Sequence, residues 1–280
     1  MTIQPDVIPP EPPIAPPSTE PRIDENEDVG LLAGLACKVT CPPGAFSGIY
    51  DHLGVTLSSL ERHAFALKGD NFTSELSKLA GPLIARSLLE LTCTALIGRF
   101  DPFRVLMVRE TQMQEDYVFT ERNTVALNWQ SDFHTEQGKG VGAVDLKTKV
   151  DSMPRSLFGK YFERVLWLEA VERFIDWAPK DLRSDWIVEL NRVEPKAFIP
   201  TMRNEIQQLY SSCSKGIHQE FVICKSDYSE VKNLQSQIGN ALELMAKLSL
   251  IFNFSPHVLN ALSIGEALES TRKLNERWQS

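Results

Sequence analysis

The 280-residue chain contains no HExxH, no Asp-rich calcium loop, no nucleophile elbow and no Gly-rich dinucleotide loop. Each absence removes a class of chemistry, because each pattern is the minimal scaffold for a metal, an activated serine or a phosphate. The stretch "GKGVG" at 138–142 is not a phosphate loop, since it lacks the GxxxxGK[ST] spacing and no strand precedes it. Five cysteines, Cys37, Cys41, Cys93, Cys213 and Cys224, form an odd set with no CxxC pair. No His or Cys cluster completes a metal-ligand set around them, so the expectation is free thiols in a reducing compartment, with neither metal nor cofactor. There is no run of about 18 apolar residues and no basic segment followed by an apolar one at the N-terminus. The chain is therefore expected to be cytoplasmic, with no membrane partner. Strand patterns are scarce as well. "EFVICK" at 220–225 is the one candidate, too short to define a sheet.

What is present is uneven in charge. The net charge is -8, yet residues 1–30 alone hold seven acids against Arg22, which leaves about -2 for the rest. A broadly basic nucleic-acid surface is excluded, although a local basic patch on a near-neutral body is not. Residues 1–28 also carry eight of the 17 prolines. Such a segment forms no ladder and buries little, so a disordered, partly polyproline-II tail is predicted. Its PxxP-like spacing would suit an aromatic groove on a partner.

From Val29 onward the apolar residues recur at three- and four-residue steps, the period of an α-helix. A helix through Leu57, Leu60 and Leu67 ends at Gly69 and Asp70. The next, 73–98, is predicted to start from Asn71 or Thr73 and to be kinked or split at Pro82, with Leu76, Leu79, Leu83, Leu88 and Leu96 in one wide apolar stripe. Asp101 and Pro102 restart a helix as N-cap and N1. Residues 134–155, rich in glycine and poor in apolar period, read as a long exposed loop. In the second half, helices are expected over 156–178, over 181–193 capped by Asp181, over 200–216 opened by Pro200, and over 226–254. A last pair is expected at 257–263 and 264–277. Val231, Leu234, Ile238, Leu242, Met245 and Leu248 form a near-heptad seam that suits a core helix or a homodimer. The fold class is all-α, a helical bundle behind a Pro-rich tail, with residues 29–280 forming a single domain.

Polar groups that stand out from this pattern are few. Glu163, Glu169 and Glu172 with Arg164 and Arg173 read as a solvated, ion-paired face. Arg86 and Glu90 are an i, i+4 pair inside the apolar helix, either an interhelical pair or the wall of a polar cleft. The stretch "LYSSCSKGIHQEF" places His218 just beyond Gly216, four residues after Ser214 and eight after Tyr210. A histidine there can cap free carbonyls at a helix C-terminus, or serve acid–base chemistry near neutral pH.

Together, "ARSLLELTCTALI" and a Tyr-three-Ser-three-His pattern resemble the HEPN superfamily. The resemblance implies α-helical bundles of prokaryotic toxin–antitoxin and phage-defence systems, often homodimeric, many of them metal-independent ribonucleases. It implies that residues of about 45–100 and 156–252 contribute the helices and that a dimer cleft takes RNA or a protein from the same operon. Catalytic members carry an Arg, commonly followed by a polar residue, with a His four to six residues after the Arg. Arg203-Asn204 looks like the start of that motif, but His218 follows 15 residues after Arg203, roughly 22 Å of helical rise. Lys215 is only three residues from His218 and is the wrong cation. The expectation is therefore a non-catalytic binding or accessory protein, with Tyr210, Ser214 and Arg203 on its binding wall. The rival is a ribonuclease in which His218 is the general acid or base, Arg86 or Arg203 stabilises phosphate charge, and Glu90 lines the site. A third reading is an unrelated helical adaptor that recruits its partner through the tail.

Overall fold

The computed structural model describes residues 29–37, 46–115, 117–118, 157–159, 162–177, 184–217, 231–259 and 261–280. The tail 1–28, the loop 134–155, the "EFVICK" segment, Asp181 and His218 lie outside the described residues. Among those described there are nine α-helices and no strand, as the helical period requires. They are α1 (Leu31–Cys37), α2 (Ser47–Gly69), α3 (Glu75–Phe100), α4 (Pro102–Gln112), α5 (Leu168–Trp177), α6 (Asp185–Leu190), α7 (Pro195–Ile217), α8 (Val231–Phe252) and α9 (Ile264–Gln279). A π-helical turn, Glu163–Trp167, leads into α5.

Helices α3 and α8 form the spine. α2 and α7 pack against α3, and α1 bridges α2 and α9. The seam of α8 is a core seam: Leu234, Ile238, Leu242, Met245 and Leu248 are each fully buried, while Val231 at its start is 39% exposed. A Cβ at Gly81 would lie 3.2 Å from Leu234 Cδ2, so the missing side chain lets α3 and α8 approach closely. The seam is thereby filled within the chain and is not a free surface for a homodimer. On the far side, Trp167 is fully buried among Phe158, Phe198 and Phe252, and its indole N–H donates to the Leu157 carbonyl at 2.8 Å.

Several boundaries differ from the sequence reading, each for a local reason. α3 is capped by Ser74, whose hydroxyl accepts from the Ser77 N–H at 3.1 Å, rather than by Asn71 or Thr73. Asn71 and Phe72 take left-handed φ values of 52° and 55° to turn the chain from α2 into α3, a conformation that costs a bulky residue free energy which the near-complete burial of Phe72 offsets. α3 runs through Pro82 as one helix. Pro102 holds the N1 position of α4, but Asp101 makes no capping bond and its carboxylate instead pairs with Arg104 at 3.2 Å. Ser184, not Asp181, precedes α6, and its hydroxyl is occupied by the Asn275 amide at 2.9 Å. α7 opens at Pro195 and carries Pro200 inside it, five residues earlier than expected. Where a helix over 257–263 was expected, residues 257–259 and 261–263 are irregular chain, held by Asn253 and Arg99. α9 then begins at Ser263 in a full capping box with Glu266.

The apolar stripe of α3 is wider than the space it faces. Ile84, Leu88 and Leu96 are buried, whereas Leu76, Leu79 and Leu83 are 67%, 77% and 54% exposed. α3 is also the one described helix long and apolar enough to cross a membrane, over Leu76–Phe100, and most of its apolar stretch is buried inside the bundle.

Candidate functional site

The α3–α7 contact brings Arg86, Glu90 and Tyr210 together. Helical spacing sets the first pair: Arg86 Nε donates to Glu90 Oε1 at 3.1 Å. Packing of α7 across α3 adds the third, because the Tyr210 hydroxyl donates to the same Glu90 oxygen at 2.8 Å. The Arg86 guanidinium also lies over the Tyr210 ring, 4.5 Å from its centre. One oxygen thus receives two donors, and one aromatic ring receives the cation. The Arg86 and Glu90 side chains are 27% and 42% exposed, so the cluster sits at a wetted rim of the interface.

The chemistry of these groups is that of a clamp. Burial and the hydrogen bond to Glu90 push the Tyr210 phenol up to about 12, so it keeps its proton and acts as a donor. Next to it, burial drives the Cys213 thiol up to about 12 despite the nearby Arg86, and Cys93 beneath Glu90 is raised further by burial and by that carboxylate. Neither thiol is a nucleophile at neutral pH. Ser214 turns its hydroxyl back onto the Tyr210 carbonyl at 2.8 Å, an i−4 bond within α7. Arg203 is half-buried on the same helix, seven residues or about 10 Å of rise before Tyr210. The acid-rich face behaves as expected: Arg173 meets Glu169 at 2.8 Å in the open.

Two further polar sites lie outside the residues that the sequence pointed to. Arg99 is fully buried. Its guanidinium donates to the Leu35 carbonyl at 3.0 Å, to Asn253 Oδ1 at 2.8 Å and to the Leu259 carbonyl at 3.3 Å. Burial lowers its pKa to about 10, which still leaves it cationic at neutral pH. It ties α3 to the end of α1 and to the turn after α8, a structural role. The other site is Lys247 of α8, buried between Glu189 and Glu243. Burial alone would lower its pKa, but the hydrogen bonds it donates to both carboxylates raise it instead. The signal for this second site was present in the sequence as Ser236, Asn240, Glu243 and Lys247, a polar row at helical spacing beside the apolar seam.

Among the described residues no group of three His, Cys, Asp or Glu side chains is placed to hold a metal ion. No protein-family model matches the chain, and no curated protein or solved structure is significantly similar to it.

Proposed function

We propose that the chain is an HEPN-like helical binding or accessory protein of a bacterial defence or toxin–antitoxin module, cytoplasmic and without an intact catalytic motif. The observation that supports this reading over a ribonuclease is the state of Arg86. Its guanidinium is committed to Glu90 and to the Tyr210 ring, and Tyr210 is held protonated. A phosphate arriving at this rim would have to displace a carboxylate already paired with the arginine. In this reading the cluster stiffens the α3–α7 wall against which a protein or RNA partner docks. A homodimer belongs to the same reading, formed on a face other than the Val231–Leu248 seam. Light scattering on the full chain measures it against the 31.5 kDa of a monomer.

The deciding experiment is incubation of the full chain with structured RNA in the absence of divalent metal. No cleavage is expected from the parent or from a His218→Ala variant, whose loss of a cap or hydrogen bond should cost about 1–2 kcal/mol of stability. Cleavage that disappears in a stably folded His218→Ala protein would instead establish the ribonuclease reading, with His218 as its acid or base.

A further inference from the structure

The way α1 lies on α2 fixes the direction from which the chain before it arrives. The Gly30 N–H donates to Ser58 Oγ at 3.0 Å, and the Leu31 and Leu32 N–H groups donate to the Glu61 carboxylate at 2.9 and 2.8 Å. The approach is so close that a Cβ at Gly30 would meet Glu61 Oε2 at 2.5 Å. At the other end of α1, the Cys37 Cβ lies 3.6 Å from where a Cβ at Gly54 would sit. α1 therefore runs antiparallel to α2, from the level of Glu61 back to that of Gly54. Traced backwards from Gly30, its line continues along α2 past Glu61 toward Phe65 and Lys68. Ser58, Glu61, Phe65 and Lys68 share one face of α2 through their three- and four-residue steps.

That stretch of α2 forms a cationic, aromatic shelf with the end of α9. The Arg277 guanidinium lies over the Phe65 ring at 4.2 Å, Lys68 Nζ lies over the Trp278 ring at 5.3 Å, and the two rings meet edge-on with centres 5.8 Å apart. Lys68 also donates to the Arg277 and Trp278 carbonyls in the last turn of α9. Among the described residues neither cation meets a carboxylate. Glu61, the acid in this row, is 1% exposed and engaged with α1, and Glu276, next to Arg277, pairs with Arg272 at 2.5 Å. Arg277 is exposed, and Phe65 and Lys68 are half-buried, so the shelf is open to solvent.

The residues just before Val29 carry the opposite charge. Positions 24–28 read Asp-Glu-Asn-Glu-Asp, four acids in five residues. Val29 is 68% exposed, so the chain leaves α1 over the surface rather than through the core. Glu61 to Lys68 is about 10 Å of helical rise, and five extended residues reach about 17 Å, enough to carry the acids onto the cations. We infer that residues 24–28 dock in cis along α2 on the Phe65, Lys68, Arg277 and Trp278 shelf, as an acidic strap that keeps the shelf closed to phosphate polyanions. Each exposed ion pair is weak on its own, but the short tether holds the acids at a local concentration on the order of millimolar. The Arg277 guanidinium, stacked on Phe65, is already oriented to receive a carboxylate. The contact is separate from the Arg86 cluster and does not depend on the reading given to that cluster.

Arg22 is the one Lys or Arg within residues 1–30, so tryptic release of the fragment 1–22 from the full chain reports on its neighbour 24–28. At low salt the release should be about threefold or more slower than cleavage of a free peptide of residues 18–30. In Arg277→Gln, checked for an unchanged thermal midpoint, it should return to the peptide's rate. A second variant leaves the bundle untouched: Asp24, Glu25, Glu27 and Asp28 are changed to their amides in the full chain. It should bind a fluorescein-labelled single-stranded RNA about tenfold more tightly than the parent by anisotropy, and adding Arg277→Gln should cancel the gain. Equal cleavage of chain and peptide overturns the inference, as does protection indifferent to Arg277→Gln. Protection that grows with protein concentration also overturns it, by assigning the shelf to the tail of a second copy. So does an RNA affinity that the amides leave unchanged, or a gain that survives Arg277→Gln, since the acids would then act only as diffuse charge.

Discussion

Arg86 and Arg99 lie on one helix, thirteen residues apart, and are held in opposite ways. Arg86 is at a wetted rim, matched by a carboxylate and an aromatic ring. Arg99 is sealed from water and donates to neutral oxygens, two main-chain carbonyls and the Asn253 amide, with the Phe252 ring 5.4 Å away. One of those carbonyls, Leu35, belongs to the last turn of α1, where the helix dipole presents partial negative charge. The Asn253 side chain completes the cage by donating to Leu35 and Ser249 while accepting from the Leu262 N–H. The difference teaches that oriented neutral oxygens converging on a buried cation take over much of the solvation that water and a carboxylate supply at the rim. The Leu35 carbonyl and the Asn253 oxygen each receive a second donor besides the cation, which knits the cage together.

The contrast can be broken most forcefully at Arg99. Arg99→Ala should destabilise the protein by about 3–5 kcal/mol in urea titration, because it leaves a cavity and removes the donor fork that joins three separate segments. Arg99→Lys should recover little of this, since a single ammonium cannot reproduce the fork that spans three oxygens. If Arg99→Ala proved nearly neutral, the hub would not be holding α1 and the 253–262 turn.

A smaller effect is expected at Tyr210. Tyr210→Phe removes one hydrogen bond to a half-exposed carboxylate, about 1 kcal/mol. The phenol also gives this rim a signature in pH. Its pKa is raised to about 12 in the folded protein from an ordinary 10.0, so its contribution is complete below the unfolded value and disappears as the pH climbs from 10 to 12. Urea midpoints measured across that window should fall more steeply for the parent than for Tyr210→Phe. Parallel curves would show that the hydrogen bond to Glu90 carries no net stability.

The least change is expected at the pair itself. Arg86→Ala and Glu90→Gln should each cost about 1 kcal/mol or less, as solvent screens a rim ion pair and the cation–π contact is partly wet. A loss as large as that of Arg99→Ala would erase the distinction between rim and core.

How much of this was visible beforehand follows from the range of each interaction. The i, i+4 pairing of Arg86 with Glu90 was readable because helical geometry alone sets it. Tyr210 could be placed on a face with Ser214, but its bond to Glu90 spans 120 residues and depends on how α7 crosses α3. Arg99 showed no local mark, since its partners Leu35, Asn253 and Leu259 are distant in sequence and act mostly through main-chain oxygens that every residue possesses. The N-cap of α3 was missed by one residue because Asn71, Thr73 and Ser74 all have the right chemistry. The left-handed turn at Asn71 and Phe72 decides which of them stands at the entrance.

The sequence by itself determined the helices and their apolar faces, since a 3.6-residue period and local capping act over a few residues. Only the tertiary structure decided which face met which. It buried Leu234 to Leu248 against α3 where a homodimer seam was equally consistent, and it left Leu76, Leu79 and Leu83 uncovered although they share the period of their buried neighbours. It also left the buried side-chain carbonyl of Gln237 without a donor among the described residues, where α7 and α8 meet. Periodicity states that a side chain belongs to an apolar or polar stripe, but burial depends on the crossing of helices far apart in the chain, which no local pattern encodes.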